Sequence, residues 1–345
     1  MEVLFLIALL VVLLPLSGFL YQAAGSARDQ RKFPPPGRQV DIGGRRWHLV
    51  DAGQGSPTVI FESGIAASSL NWTAIEAEVA RFTRACAYDR AWLGWSDPSP
   101  APRVAVQLVD ELHALLARAQ ILGPFVLVGH SFGGLLVQAY AVVHPDQVAG
   151  LVLIDPLPAS EWAHVSGDRL RILRWGMRLS RRGALLARLG VIRMSLALLS
   201  GGGRRIPKLV ARLTSGRAET TLSRLVGEVQ KMPPEVWPMV QAHWCQPQAF
   251  IGMAEYFKAL PESAEQAAAL GDLPRIPVTI LSAGNSTPGQ LAERDAIASQ
   301  SPRGKHVVVP ESGHWIHLDR PEIVLEAIRE MVEVVRRPSA PHPGY

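Results

Sequence analysis

The sequence predicts an α/β fold: a mostly parallel, twisted sheet flanked by helices, with a helical segment inserted late in the chain. Three observations predict it. Short apolar, β-branched runs alternate with longer stretches whose apolar residues recur every three or four positions, the pattern of parallel strands joined by right-handed helical crossovers. One run, Val126-Leu127-Val128-Gly129-His130-Ser131-Phe132-Gly133-Gly134, stops at a serine with a glycine two residues away on each side, and helix-forming residues follow. Between about Leu157 and Asp272 the pattern becomes helical and basic before a strand-like run resumes. With 345 residues and 48% apolar content, the chain can build one large core, or a core carrying an insertion, and a wholly disordered chain is excluded.

The N-terminus comes first. Val3 to Leu20 is almost continuously apolar, long enough to cross a bilayer as a helix, although Pro15 and Gly18 weaken it. Residues 1–24 therefore read as a transmembrane anchor. A cleaved signal peptide is the competing reading, but no Lys or Arg precedes the run, and the sites at Ala23-Ala24-Gly25 and Gly25-Ser26-Ala27 are only passable. Arg28, Arg31, Lys32 and Arg38 follow the run, which favours a cytoplasmic catalytic domain. Secretion after cleavage is the alternative. Residues 25–37, ending in Pro34-Pro35-Pro36-Gly37, read as a stiff linker.

Residues 38–156 form the first part of the core. Gln39 to Ile42 and Arg45 to Asp51, joined at Gly43-Gly44, predict a β-hairpin. Thr58 to Phe61 is a short buried strand, followed by a helix from Trp72 to Ala80. Ala85 to Tyr88 is the next strand. Val106 to Ala119 is a helix whose Leu108, Leu112, Leu115 and Leu116 make a packing stripe. The strand from Phe125 leads through the serine turn into a helix from Phe132 to about Val143. Val148 to Ile154 is apolar enough to be buried on both faces, and it ends at Asp155-Pro156. Residues 157–272 form a helical segment in which Leu170, Leu173 and Met177 trace one face, Arg171, Arg174 and Arg178 a second, and Gly201-Gly202-Gly203 breaks the run. Its aromatic residues Trp237, His243, Trp244, Phe250 and Tyr256 fit a pocket lining and an internal core equally well. Residues 273–337 complete the sheet with Val278 to Leu281 and Lys305 to Val309, then close with a helix from Pro321 to Val335 that buries Ile323, Leu325, Ile328, Met331 and Val332. Residues 338–345 read as a disordered tail.

Charge and cysteine content narrow the partners. The net charge is +5, yet Pro156 to Met232 carries fifteen Lys or Arg against four Asp or Glu, so this segment is +11 and the remainder −6. No base-reading module accompanies the basic segment, whereas an apolar run does, so nucleic acid is not expected and an anionic membrane surface is. Cys86 and Cys245 supply neither a disulfide framework nor metal-ligand spacing. No metal or cofactor is expected.

At the serine turn, Gly129 and Gly133 are needed because a side chain at either position would collide with neighbouring backbone, and the turn presents Ser131 at the top of the sheet. Together with Phe61-Glu62-Ser63-Gly64, Tyr88-Asp89-Arg90, Gly94-Trp95-Ser96-Asp97 and Gly313-His314, which occur in the family's order, this stretch resembles the α/β-hydrolase family over most of the chain outside the N-terminus and residues 157–272. Three departures stand out. Ser63 replaces a common histidine, Trp92 stands where a glycine is usual, and no carboxylate follows the seventh strand in Ser282-Ala283-Gly284-Asn285-Ser286-Thr287.

A serine hydroxyl needs a base, and the base an orienting group. His314 is the best base, because the loop after the last strand returns it to the C-terminal edge of the sheet and its Gly-His pair matches the family; His317 is the rival. His130 adjoins the serine but reads as a packing residue. The resemblance implies an oxyanion hole from the amides of Ile65 and Phe132, an Asp89-Arg90 pair that braces loops, and a cap over the serine in residues 157–272. It also implies that Asp155, at the end of the sixth strand, replaces the missing acid, as in some members; the alternative is a strand-end aspartate turning into Pro156. Glu293 and Asp295 are read as pointing to solvent. Serine rather than aspartate as nucleophile points to acyl transfer, so the expectation is a serine hydrolase acting on small apolar carboxylic esters through an acyl-enzyme on Ser131. A catalytically silent binding protein and thioesterase, peptidase or C–C hydrolase variants are the alternatives.

Overall fold

Alternation of side chains about β-branched strands buries both faces of a central sheet, and this gives the molecule three layers. The computed structural model describes residues 1–200 and 231–337; the Gly201-Gly202-Gly203 break and the tail from residue 338 lie outside them. Eight strands, β1 (Arg38–Asp41), β2 (Arg46–Ala52), β3 (Thr58–Glu62), β4 (Ala85–Tyr88), β5 (Phe125–His130), β6 (Val148–Ile154), β7 (Val278–Ala283) and β8 (Gly304–Val309), lie in the order β1-β2-β4-β3-β5-β6-β7-β8. The β1–β2 and β2–β4 pairs are antiparallel and all others parallel.

Successive residues of one strand serve opposite cores. Ile60, Leu127, Leu151 and Leu153 pack with Val109, Leu112 and Tyr140 from α3 (Ala105–Arg118) and α4 (Phe132–Val143). Val59, Phe61, Val126, Val128, Val152 and Ile154 pack instead with Ile75 of α2 (Thr73–Val79) and with the closing helix Pro321–Arg336. Each such fully buried side chain contributes roughly 1.5–3 kcal/mol, so the central strands hold the sheet's top edge rigid. On the closing helix Ile328, Met331 and Val332 are buried as expected, but Val324 and Ala327 complete that face while Ile323 and Leu325 are only partly covered.

Register places the strand ends level with one another. Glu62 is opposite Gly129, His130 opposite Ile154, and Ile154 opposite Leu281. The loops that follow β3, β5, β6 and β7 therefore open at one edge of the sheet.

Between β6 and β7 the chain leaves the sheet. The insertion comprises α5 (Ala159–Ala163), α6 (Gly167–Arg188), α7 (Val191–Ser200) and the helices Trp237–Trp244 and Pro247–Ala269. Tyr256 is fully buried and donates its hydroxyl to the Ala91 carbonyl at 3.0 Å, which makes it a joint between insertion and core and not a pocket wall. Phe250 lies against Gly183. Trp237 and Trp244 pack with Leu70 and Leu318 from the core, and His243 stands edge-on to Trp95 at 4.3 Å.

The N-terminal helix differs from expectation. α1 runs from Glu2 to Lys32 without a break, so residues 25–32 are helix and the linker begins only at Phe33. Among the described residues no helix is long and apolar enough to cross a membrane, and the expected transmembrane anchor is corrected accordingly. Packing supplies the physical reason. A Cβ on Gly18 would lie 2.2 Å from the Leu189 carbonyl oxygen, so from Gly18 onward the helix is committed to the insertion.

Candidate active site

The turn after β5 holds its serine in a conformation that few side chains adopt. Ser131 has φ 56° and ψ −120°, which costs on the order of 1–3 kcal/mol. Its amide donates to the Ile154 carbonyl at 3.0 Å, and its carbonyl accepts from the Gly134 and Leu157 amides. The two elbow glycines are sterically required: a Cβ on Gly129 would lie 2.5 Å from the Gly133 oxygen, and one on Gly133 would lie 2.4 Å from the Glu62 oxygen. Close packing of three backbones thus pushes Ser131 to the sheet edge, where it is half-buried and accessible.

Two amides flank it. Phe132 is the first residue of α4, so its N–H has no intrahelical acceptor. Gly64 lies beside the serine, since a Cβ built on it would be 3.7 Å from Ser131 Cβ, and this brings the Ile65 loop to the same place. Arg90 braces that loop: its guanidinium donates to the Ser63 carbonyl at 2.6 Å, to the Gly64 carbonyl and to buried Glu62. Ser63, in place of the usual histidine, donates to the Ser68 carbonyl at 3.1 Å and accepts from Trp72 Nε1 at 2.9 Å. Trp92 has φ 76°, which accounts for the glycine usual at that position. The insertion accommodates it through Gly252, whose Cβ would come within 2.3 Å of Trp92 Cβ.

His314 lies at the same edge. Its Nδ1 is 2.6 Å from Asp155 Oδ2, and its side chain is 45% exposed, so Nε2 is left for a reacting group. His130 is buried and its Nε2 donates to the His314 carbonyl at 2.8 Å. Burial first, then the neighbouring His317 and His314, lower the pKa of His130 well below the usual value, so it stays neutral and positions the His314 backbone. The rival His317 is fully buried, stacks on Trp72 at 4.7 Å, and is lowered to about 3 by burial and His314. It faces neither Asp155 nor solvent.

Asp155 occupies the gap left after β7. It sits at φ 41° directly beyond β6, and its Oδ1 accepts the Ala283 amide at 3.0 Å. The acid of β6 is thereby held over the end of β7, where the carboxylate absent from Ser282 to Thr287 would stand. Arg294 is a further partner of this carboxylate that no sequence motif marks. From the helix Pro288–Gln300 its buried Nη1 donates to Asp155 Oδ1 at 2.8 Å and to Ser282 and Ser286 Oγ at 2.9 Å, while Nη2 donates to the Pro156 carbonyl at 2.9 Å. Burial alone would raise the Asp155 pKa, but the hydrogen bond and charge of His314, then the charge of Arg294 and the Ala283 amide, hold it below the ordinary carboxylate value. Glu293 pairs with Ser160 and Asp295 with His306, both away from His314. The sequence signal for Arg294 is a charge on the stripe it shares with Leu291 and Ala298.

Such an arrangement can carry out acyl transfer: an accessible hydroxyl, an oriented imidazole, an ionised carboxylate and convergent amides. No group of His, Cys, Asp and Glu among the described residues could hold a metal ion.

Comparison with known proteins agrees with this fold. A family model described as alpha/beta hydrolase fold matches residues 57–321. A 1-acylglycerol-3-phosphate O-acyltransferase of Arabidopsis thaliana is 28% identical over 304 residues, covering 82% of this chain and 69% of that protein. An sn-1-specific diacylglycerol lipase of Mus musculus is 23% identical over 286 residues, covering 82% and 83%. For three other matched relatives, from Bacillus subtilis, Hormonema carpetanum and Schizosaccharomyces pombe, the shared stretch covers only 41%, 18% and 14% of the relative's length. Among solved structures, an esterase from Thermogutta terrifontis superposes with TM-score 0.58 at 22% identity, covering 87% of this chain and 99% of that one. An epoxide hydrolase, CorEH, superposes with TM-score 0.61 at 19% identity, covering 87% and 99%. At these identities the likeness shows the fold alone.

Proposed function

Since the chain belongs to the alpha/beta hydrolase fold family, we propose that it is a serine hydrolase that cleaves apolar carboxylic esters through an acyl-enzyme on Ser131. The observation that carries this reading is the 2.6 Å contact between His314 Nδ1 and Asp155 Oδ2 beside a serine on a strained elbow. Ser131 Oγ attacks the ester carbonyl while His314 Nε2 takes its proton. The negative charge that develops on the carbonyl oxygen is met by the Phe132 and Ile65 amides, each such donor worth about 3 kcal/mol in the transition state. Asp155 fixes the imidazole tautomer and stabilises the imidazolium. The imidazolium returns its proton to the leaving alcohol; water, deprotonated by the same nitrogen, then attacks the acyl carbon, and as the bond to Ser131 Oγ breaks the imidazolium gives that oxygen the proton and the acid is released. A nucleophilic serine supports this reading over an alkyl-enzyme route.

A second reading replaces water by an acceptor alcohol in the last step. The Arabidopsis thaliana relative, named as an acyltransferase and aligned over 82% of this chain, favours it. Both readings need the acyl-enzyme. A fluorophosphonate probe should label the wild type and not Ser131→Ala, with the thermal midpoint of the two alike; equal labelling would place the nucleophile elsewhere. A panel of p-nitrophenyl esters of rising chain length, with and without a glycerol-based acceptor, then separates hydrolysis from transfer.

A further inference from the structure

We propose that the outer face of α6 is a docking surface for an anionic lipid bilayer, seating the insertion beside the free apolar half of α1. This goes beyond the hydrolase reading and does not depend on it. The inner face of α6 is fully used: Leu173, Ser180, Gly183, Ala184 and Ala187 are buried, with Gly176 and Gly183 letting Phe257 and Phe250 approach. A stripe flanking that face holds Ile172, Trp175, Leu179 and Leu186, which stand at spacings of three, four and seven residues, fall on one side of the helix and are all exposed. Trp175 is 51% exposed.

A row of cations runs beside this stripe. Among the described residues Arg171 pairs only within its own turn, with Asp168, and Arg174, Arg178, Arg181 and Arg182 make no ion pair. Exposed Trp and Leu with Arg alongside are what a headgroup layer accommodates: the aromatic and aliphatic side chains enter the acyl boundary and the guanidinium groups meet lipid phosphates. The charge complement is therefore an anionic leaflet.

Continuity with α1 points to the same occupant. Its second half is locked to the insertion through Gln22, which donates to the Cys245 carbonyl at 2.8 Å and accepts from Arg193 at 3.0 Å, and through the Arg193–Asp29 pair at 2.6 Å. In its first half Val11, Val12, Leu13 and Leu14 are all exposed, and four consecutive residues point around the whole helix. A helix apolar on every side needs immersion, and this one is joined to the insertion that carries the exposed stripe of α6. Insertion from one side, with α6 resting on the same surface, satisfies both observations.

The test uses the full chain and flotation with phosphatidylcholine vesicles, with and without phosphatidylserine. Binding should favour the anionic vesicles and weaken with salt, and the triple variant Arg171→Gln/Arg174→Gln/Arg178→Gln should lose that preference by roughly tenfold or more. Trp175→Ala/Leu179→Ser should weaken binding to both vesicle types. Hydrolysis of a short soluble ester and the thermal midpoint should stay unchanged in these variants, which separates loss of docking from loss of fold. Flotation is read without any turnover, so failure of the hydrolase reading leaves the result standing. An anionic preference unchanged in the triple variant overturns the proposal. So does a lipid-free dimer that Trp175→Glu dissociates, which would make this face an interface between two copies.

Discussion

At the scale of single residues, Asp155 and Arg294 divide the work of the missing acid. With one oxygen on His314 and the other on the guanidinium, Asp155 acts on the imidazole as a carboxylate whose charge is partly offset. Asp155→Asn should fold normally and lose about ten-thousandfold in turnover, whereas Glu293→Gln and Asp295→Asn should change little. Arg294→Met leaves the carboxylate unopposed, so the imidazolium is favoured more strongly and the acid limb of the kcat/KM profile should move up by roughly one pH unit. Arg294→Lys keeps the charge and should leave the limb in place. If both variants lower kcat with the limb unmoved, Arg294 only packs. The sequence singles out Ser131 by glycine spacing, His314 by a Gly-His pair and Asp155 by a strand end read through the family resemblance, and the structure brings His314 and Asp155 into contact. Arg294 is not singled out, because its role depends on which face of the Pro288–Gln300 helix turns inward, and a single arginine on a part-apolar stripe does not declare its partner.

At the scale of elements, the sheet was readable nearly residue by residue, since buried parallel strands write themselves as short apolar runs between turn residues. α1 shows where such reading stops. Its apolar run was plain, but its second half packs through Gly18, Gln22, Gly25, Ser26 and Asp29, one helix face made of small and polar residues that match Leu189, Arg193 and Cys245 far along the chain. Composition alone divides this stretch between an anchor ending at Ala24 and a linker from Gly25. It also bears on cleavage, because a cut at Ala24 or Gly25 would divide the seam in its middle. Gly18→Leu, which drives a side chain into the Leu189 backbone, should detach α1 from the insertion. Trypsin should then cut at Arg28, Arg31 or Lys32 several-fold faster than in the wild type while the core stays resistant. Equal cutting rates would mean that the seam adds nothing to the helix's order.

At the scale of the whole molecule, three parts meet at one buried joint: the linker after α1, the loop after β4, and the insertion. Trp95 donates to the Phe33 carbonyl at 3.0 Å and stands edge-on to His243. Beside it, His48 Nδ1 is 2.7 Å from Asp89 Oδ2 and its Nε2 faces the Pro36 carbonyl. Both ring nitrogens face acceptors, and only the imidazolium donates at both. Burial, the largest influence, lowers the His48 pKa, but the hydrogen bond and charge of Asp89 and the Pro36 carbonyl together raise it above its ordinary value of 6.5. The stability it contributes is therefore complete below that ordinary value and is lost as pH rises through the raised one. Glu76 acts in the same direction, because burial raises its pKa from 4.5 to about 7, so the stability it contributes is complete below 4.5 and is lost as pH rises through about 7. Measured in a Glu76→Gln background, the thermal midpoint should still fall as pH is raised from neutrality into the alkaline range, and His48→Gln should abolish most of that fall. An equal fall in the presence and absence of His48 would show that its ring is neutral in the folded chain, and that the joint is held by Trp95 and packing instead of by charge.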